Sequence, residues 1–195
     1  MRRHLLYPAF GLTSGITLSS LAIAAAGHPA ALLLRYEREP ILTGQLWRLF
    51  SALAVHLGPG HLVMNLAVLW LLWAGFMRYL PETRWWAYVL FSTLGVTLGL
   101  LLFNPSIEWY VGLSGVLHGL VVAVLVEDYR NAPGTVLLLG MALLVKLGWE
   151  QYLGPLPASE AVSGGPVVVD AHLYGAIGGG IAGVTLSLWK RRNRS

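Results

Sequence analysis

The sequence predicts an all-α membrane protein: six transmembrane helices bundled into one domain. Three observations predict it. Only 11% of the 195 residues are charged and 56% are hydrophobic, against about 25% charged in an ordinary soluble domain. The mean hydropathy of +0.65 leaves too few polar side chains to cover a water-facing surface. The apolar residues also fall into six runs separated by charged, Pro-rich or Gly-rich stretches. One bilayer crossing takes about 20 apolar residues, so a chain of this length has room for at most six or seven helices with short connections.

The first run, 7–26, follows Met1-Arg2-Arg3-His4 and has the charged start of a signal peptide. Further spans follow it without a strong cleavage site, so it is expected to be a retained helix. Residues 27–60 contain Arg35, Glu37, Arg38, Glu39 and Pro40, which makes this stretch too polar to cross. It is expected to be a long first extracytoplasmic loop. Within it, 41–55 has short apolar stretches around Trp47 and Arg48. That pattern fits short interfacial helices with an aromatic and a cation at headgroup level.

The second and third spans are expected at 61–80 and 85–103. The fourth, 114–126, is short and stops before Glu127-Asp128. The fifth covers 135–153, and the sixth, 171–189, ends in Lys190-Arg191-Arg192. Six spans put both termini on one side. Nine basic residues fall on that side (Arg2, Arg3, Arg78, Arg84, Arg130, Lys190, Arg191, Arg192 and Arg194), against three on the other (Arg35, Arg38 and Arg48). The excess places both termini in the cytoplasm. Next to a membrane span the terminal basic cluster is a topology signal facing lipid, and no nucleic-acid partner is expected.

Polar groups at membrane depth are costly and mark function. Here they are His56, His61, Asn65, Ser114, His118, Lys146 and His172. His61, Ser114 and His172 each open a span from the outer side, so three spans carry polar groups at one depth. Ser114 lies in Gly112-Leu113-Ser114-Gly115. A serine at such a loop-to-helix junction can expose its hydroxyl beside oxyanion-stabilising N–H groups. The same four residues also suit close helix packing, because Gly115, Gly119 and Ala123 form a small-residue stripe. Gly175, Gly179 and Gly183 form a second stripe, with His172 beside it. If the two stripes meet, His172 comes within reach of Ser114 and supplies the base that a hydroxyl nucleophile needs.

His61 and Asn65 share a helix face at i, i+4 and are candidate oxyanion donors. A metal site is not expected. His56, His61, His118, His172 and Asp170 offer ligands, but there is no H-E-x-x-H pattern. Asp170 suits helix capping better than a triad. Lys146 and Glu150, also i, i+4, are expected to neutralise each other. With no cysteine in the chain, disulfides and thiolate chemistry are excluded.

Four segments then resemble, in order and on the matching spans, the rhomboid family of intramembrane serine proteases. Gly44-Gln45-Leu46-Trp47-Arg48-Leu49-Phe50-Ser51 is similar to its first-loop motif, and His56 with His61-Leu62-Val63-Met64-Asn65 to its second-span signature. Gly112-Leu113-Ser114-Gly115 is similar to the nucleophile motif, and Ala171-His172-Leu173-Tyr174-Gly175 to the base motif. The resemblance implies that Ser114 is the nucleophile and His172 the general base of a dyad without a carboxylate. It makes His61, Asn65 and the Ser114 backbone N–H the oxyanion site. It further implies six helices around a hydrated cavity, substrate entry past the fifth span, a membrane-anchored protein substrate, and neither metal nor organic cofactor.

One position departs from the family, which commonly has an aromatic residue four after the nucleophile. Here it is His118, a possible partner that orients His172, competes with it as base, or binds the substrate terminus. The run Gly112-Leu113-Ser114-Gly115-Val116-Leu117-His118-Gly119, the small size and the bare six-span form resemble the bacterial rhombosortase subgroup. That subgroup implies an inner-membrane enzyme acting on proteins with a C-terminal Gly-Gly, apolar-helix and basic-tail anchor. Three alternatives stay open at this point: an acyl-enzyme transferase on the same substrates, an inactive relative that binds membrane helices, and a small transporter or channel.

Overall fold

The structure, a computed structural model, describes residues 10–193. The start of the first expected span and Arg2, Arg3 and Arg194 lie outside the described residues. Helix α1 spans Phe10–Ala26, followed by α2 (His28–Leu34), β1 (Tyr36–Glu37), α3 (Arg38–Leu42) and α4 (Arg48–Ser51), which runs into a 3-10 turn at Ala52–Ala54. Then come α5 (Pro59–Gly75), a turn at Met77–Tyr79, α6 (Glu82–Phe103), β2 (Trp109–Tyr110) and α7 (Ser114–Asp128). The chain continues through α8 (Pro133–Leu153), α9 (Ser159–Ser163) and α10 (Val169–Arg192). Proline marks several helix starts. Pro59 and Pro133 stand in the first turns of α5 and α8, where the missing N–H has no partner to lose.

Among the described residues α6, α8 and α10 are long and apolar enough to cross a membrane. The segments Arg48–Ala54 and Pro59–Gly75 pass the same test together, but the chain bends by 95° between them. Helix α1 is apolar and shorter. Helix α7, at 15 residues, is about 22 Å long, less than the roughly 30 Å of bilayer hydrocarbon. The neighbours of α7 explain how it tolerates this. It packs against α5, α6, α8 and α10, and Val116, Leu117, Leu120, Ala123 and Val124 are buried. A helix surrounded by protein need not match the thickness of lipid.

The glycine stripes set the closest contact. A Cβ on Gly175 would overlap the Gly115 carbonyl oxygen, and one on Gly179 the Gly119 carbonyl oxygen. Backbone therefore meets backbone along α7 and α10, as small residues allow in a bilayer where apolar side chains gain nothing by leaving lipid. Polar side chains tie on α1: Trp85 Nε1 donates to Thr13 Oγ1 at 3.2 Å and Trp70 Nε1 to Thr17 Oγ1 at 3.1 Å. At the far end of the bundle Glu127 of α7 pairs with Arg84 and with Lys190, joining α6, α7 and α10. Of the three long helices α8 is held least. Buried positions make up 11% of its apolar stretch, against 44% in α6 and in α10.

The segment between α1 and α5 is folded rather than merely long. Strand β1 pairs antiparallel with β2, Tyr36 opposite Tyr110 and Glu37 opposite Trp109. Trp47 is exposed. Arg48 is buried, with 6% exposure. Its Nη1 donates to the carbonyls of Leu32 (2.8 Å) and Arg35 (2.9 Å), and its Nε to Gln45 Oε1 (2.8 Å). Two carbonyls near the end of α2 lack helical donors, and the guanidinium serves them. Glu37 lies 3.4 Å from the same guanidinium, and a hydrogen bond from Arg35 holds its carboxyl below the usual range.

Candidate active site

The polar residues singled out above gather at one end of the bundle. Ser114 opens α7, His172 lies in the first turn of α10, His61 and Asn65 in the first two turns of α5, and Glu150 in the last turn of α8. Their side chains line a cavity of about 690 Å³ together with His118 and Lys146.

Ser114 owes its position to the loop before it. Gly112 has φ +125°, a conformation that L side chains rarely adopt. A Cβ there would lie 2.7 Å from His61 Cε1. The Gly112 N–H donates to the Ala52 carbonyl at 3.1 Å, and Tyr110 Oη donates to the Gly112 carbonyl at 3.0 Å. The paired strands and the 3-10 turn thus pin the loop that leads into Ser114. The first N–H groups of α7 have no intrahelical acceptor, and they surround the serine.

His172 is 5% exposed, and its Nε2 lies 3.0 Å from Ser114 Oγ. Its Nδ1 lies 2.9 Å from Glu150 Oε2. A carboxylate only accepts, so Nδ1 carries the proton and Nε2 is left to accept from the serine. His118 stacks on the His172 ring, centroids 4.2 Å apart and planes at 17°. His118 Nδ1 donates to the Ser114 carbonyl at 2.7 Å, which fixes the ring over its neighbour.

His61 Nδ1 accepts from the Leu57 N–H at 3.3 Å, which puts the remaining proton on Nε2. Asn65 is 5% exposed, and its Nδ2 has no hydrogen-bond partner among the described residues. Asn65 Nδ2 is therefore an unpaired donor in the cavity that Ser114 and His61 also line. An unpaired buried donor costs about 1–3 kcal/mol, a cost removed when negative charge arrives to accept it.

Asp170 does not join the site, because its Oδ2 accepts from Asn104 Nδ2 at 2.6 Å. His56 is held by the Ala54 carbonyl, which accepts from its Nδ1 at 3.2 Å, and packs edge-on to His61. The Lys146–Glu150 pair forms as expected at 2.6 Å, but the second carboxylate oxygen reaches His172. That link joins α8 to α10 and has no signature in the local pattern of α8. His118, Glu150 and His172 offer ligand atoms within 4.8 Å of one another. A cation fits poorly, since both ring nitrogens of His172 are engaged and the Lys146 ammonium stands 3.5 Å from Nδ1.

A family model described as Rhomboid domain matches residues 43–189. The protein named Rhomboid protease GlpG homolog from Cronobacter sakazakii is 28% identical over 146 residues, covering 74% of this chain and 52% of that protein. Rhomboid protease GlpG from Salmonella newport is 25% identical over 140 residues, covering 69% and 50%, and its Salmonella typhi counterpart matches to the same extent. The chain spans about half the length of the curated relatives it matches.

Proposed function

The chain belongs to the rhomboid family, and from that premise we propose that it is an intramembrane serine endopeptidase acting through Ser114 and His172. The observation that carries this reading is the 3.0 Å approach of His172 Nε2 to Ser114 Oγ in a cavity also lined by the unpaired Asn65 Nδ2 donor. Ser114 Oγ attacks the scissile carbonyl carbon while its proton passes to His172 Nε2. The oxyanion accepts from His61 Nε2, Asn65 Nδ2 and the Ser114 backbone N–H. Collapse breaks the C–N bond, and His172 returns the proton to the leaving amine. Water then attacks the ester and gives a proton to His172. As the C–Oγ bond breaks, that proton restores the serine and the new carboxylic acid leaves.

In this reading six helices, α1, α5, α6, α7, α8 and α10, span an inner bacterial membrane with both termini cytoplasmic, supported by the nine basic residues against three. The active site then lies just beneath the outer face. The octapeptide Gly112–Gly119 supports the rhombosortase subgroup and substrates with a Gly-Gly, apolar-helix and basic-tail anchor. The sparse packing of α8 supports entry of the substrate helix on that side.

Ser114→Ala and His172→Ala, expressed with a tagged single-span reporter carrying such an anchor, are each expected to lower cleavage by about 10⁴-fold or more. Wild-type cleavage in either variant overturns the reading. Mass spectrometry of the product separates hydrolysis, which leaves a free carboxylate, from transfer to an amine, which leaves an amide.

A further inference from the structure

Glu150 is 3% exposed at the end of a membrane helix, where an ionised carboxylate is tolerated only if its oxygens are paired. Lys146 alone, one turn earlier, would answer that need. Instead the oxygens are divided: Oε1 takes the Lys146 ammonium at 2.6 Å, and Oε2 takes His172 Nδ1 at 2.9 Å. We propose that Glu150 is a positioning residue for the reaction, the acid of a Ser114–His172–Glu150 triad that Lys146 holds ionised and in place. This rests on the serine peptidase reading.

The chemistry requires such a group. Accepting from Nδ1 fixes the tautomer that leaves Nε2 facing Ser114 Oγ, and the negative charge stabilises the imidazolium formed when the serine proton arrives. The surrounding groups leave Glu150 as the acid on that nitrogen. From α7, His118 lies flat on the ring and its Nδ1 is turned to the Ser114 carbonyl. From α10 itself, Asp170 is bonded to Asn104. Helix α8 supplies both the carboxylate and the cation beside it.

Two measurements test the triad on the full chain in detergent: the rate at which a fluorophosphonate labels Ser114, and kcat and KM for the Gly-Gly reporter. Glu150→Gln is expected to slow labelling and kcat by about 10²- to 10⁴-fold, with KM within about threefold of wild type. Because a lone lysine beside glutamine can unsettle the helix, the pair is also replaced together, Lys146→Leu with Glu150→Leu. Apolar replacement of a whole buried ion pair usually preserves folding. This variant is expected to fold, melting within several degrees of wild type because His172 Nδ1 loses its acceptor, and to remain as slow as Glu150→Gln.

Wild-type labelling in either variant overturns the triad. If wild type is labelled but these variants match it, the triad alone falls. If Ser114 is not labelled in wild type, the peptidase reading falls and takes the triad with it. Labelling and turnover are expected to survive a chelator. Activity lost to chelation and regained with zinc would assign the His118, Glu150 and His172 cluster to a metal and also overturn the proposal.

Discussion

His118 illustrates what one side chain can do by shape alone. Its ring stacks on that of His172, and in the proposed mechanism a flat ring at this position would serve as a shelf that steadies the imidazole facing Ser114. Stacking asks for an aromatic face, not for a particular nitrogen. His118→Tyr is therefore expected to retain turnover within about tenfold, the order of one lost hydrogen bond, when kcat is measured on the reporter. A loss as deep as that of Ser114→Ala would assign the ring to proton transfer or substrate recognition. Ser114, His61, Asn65 and His172 were legible as candidates because polar groups are conspicuous in apolar spans. Glu150 was just as visible, but its i, i+4 lysine offered a sufficient local explanation. Its contact with His172 crosses 22 positions of chain, and helical periodicity carries no information about such a pairing.

Among the elements, α7 and α10 form the seam on which Ser114 and His172 are registered. The closeness of the seam is testable. Gly179→Ala places a Cβ against the Gly119 backbone, which cannot retreat as a flexible side chain would. It is expected to cost about 1–3 kcal/mol, read as a drop of several degrees in thermal unfolding in detergent, and to lower turnover as the helices separate. Gly148→Ala in α8 is the control. A Cβ there meets nothing within 4 Å, and alanine favours the helix, so the melting temperature is expected to hold or rise. The meeting of the two stripes could be anticipated from the spacing of Gly115 and Gly119 and of Gly175, Gly179 and Gly183. The pairing of Tyr36 with Tyr110 could not, because two-residue strands 74 positions apart leave no periodic trace.

For the whole molecule, the asymmetry of basic residues makes a prediction about sidedness. The chain contains no cysteine, so single cysteines can be introduced without background. Ala161→Cys in α9, at the end that holds Ser114, is expected to react with an impermeant maleimide in intact spheroplasts. Asn131→Cys, between α7 and α8, is expected to react only after the membrane is opened. The reverse pattern would invert the orientation.

Helix α8 couples this geometry to time. It is the least embedded of the long helices, yet it supplies the carboxylate that meets His172. In the proposed mechanism, an outward swing of α8 that opened the cavity sideways to lipid would also withdraw Glu150 from His172 and disarm the base while the cavity stood open. On that mechanism, rearming would wait for the helix to close over a substrate that had already entered. Helices that merely brush past the opening in a crowded membrane would thus escape the cut, and discrimination would come from how long a substrate stays rather than from how tightly it is gripped.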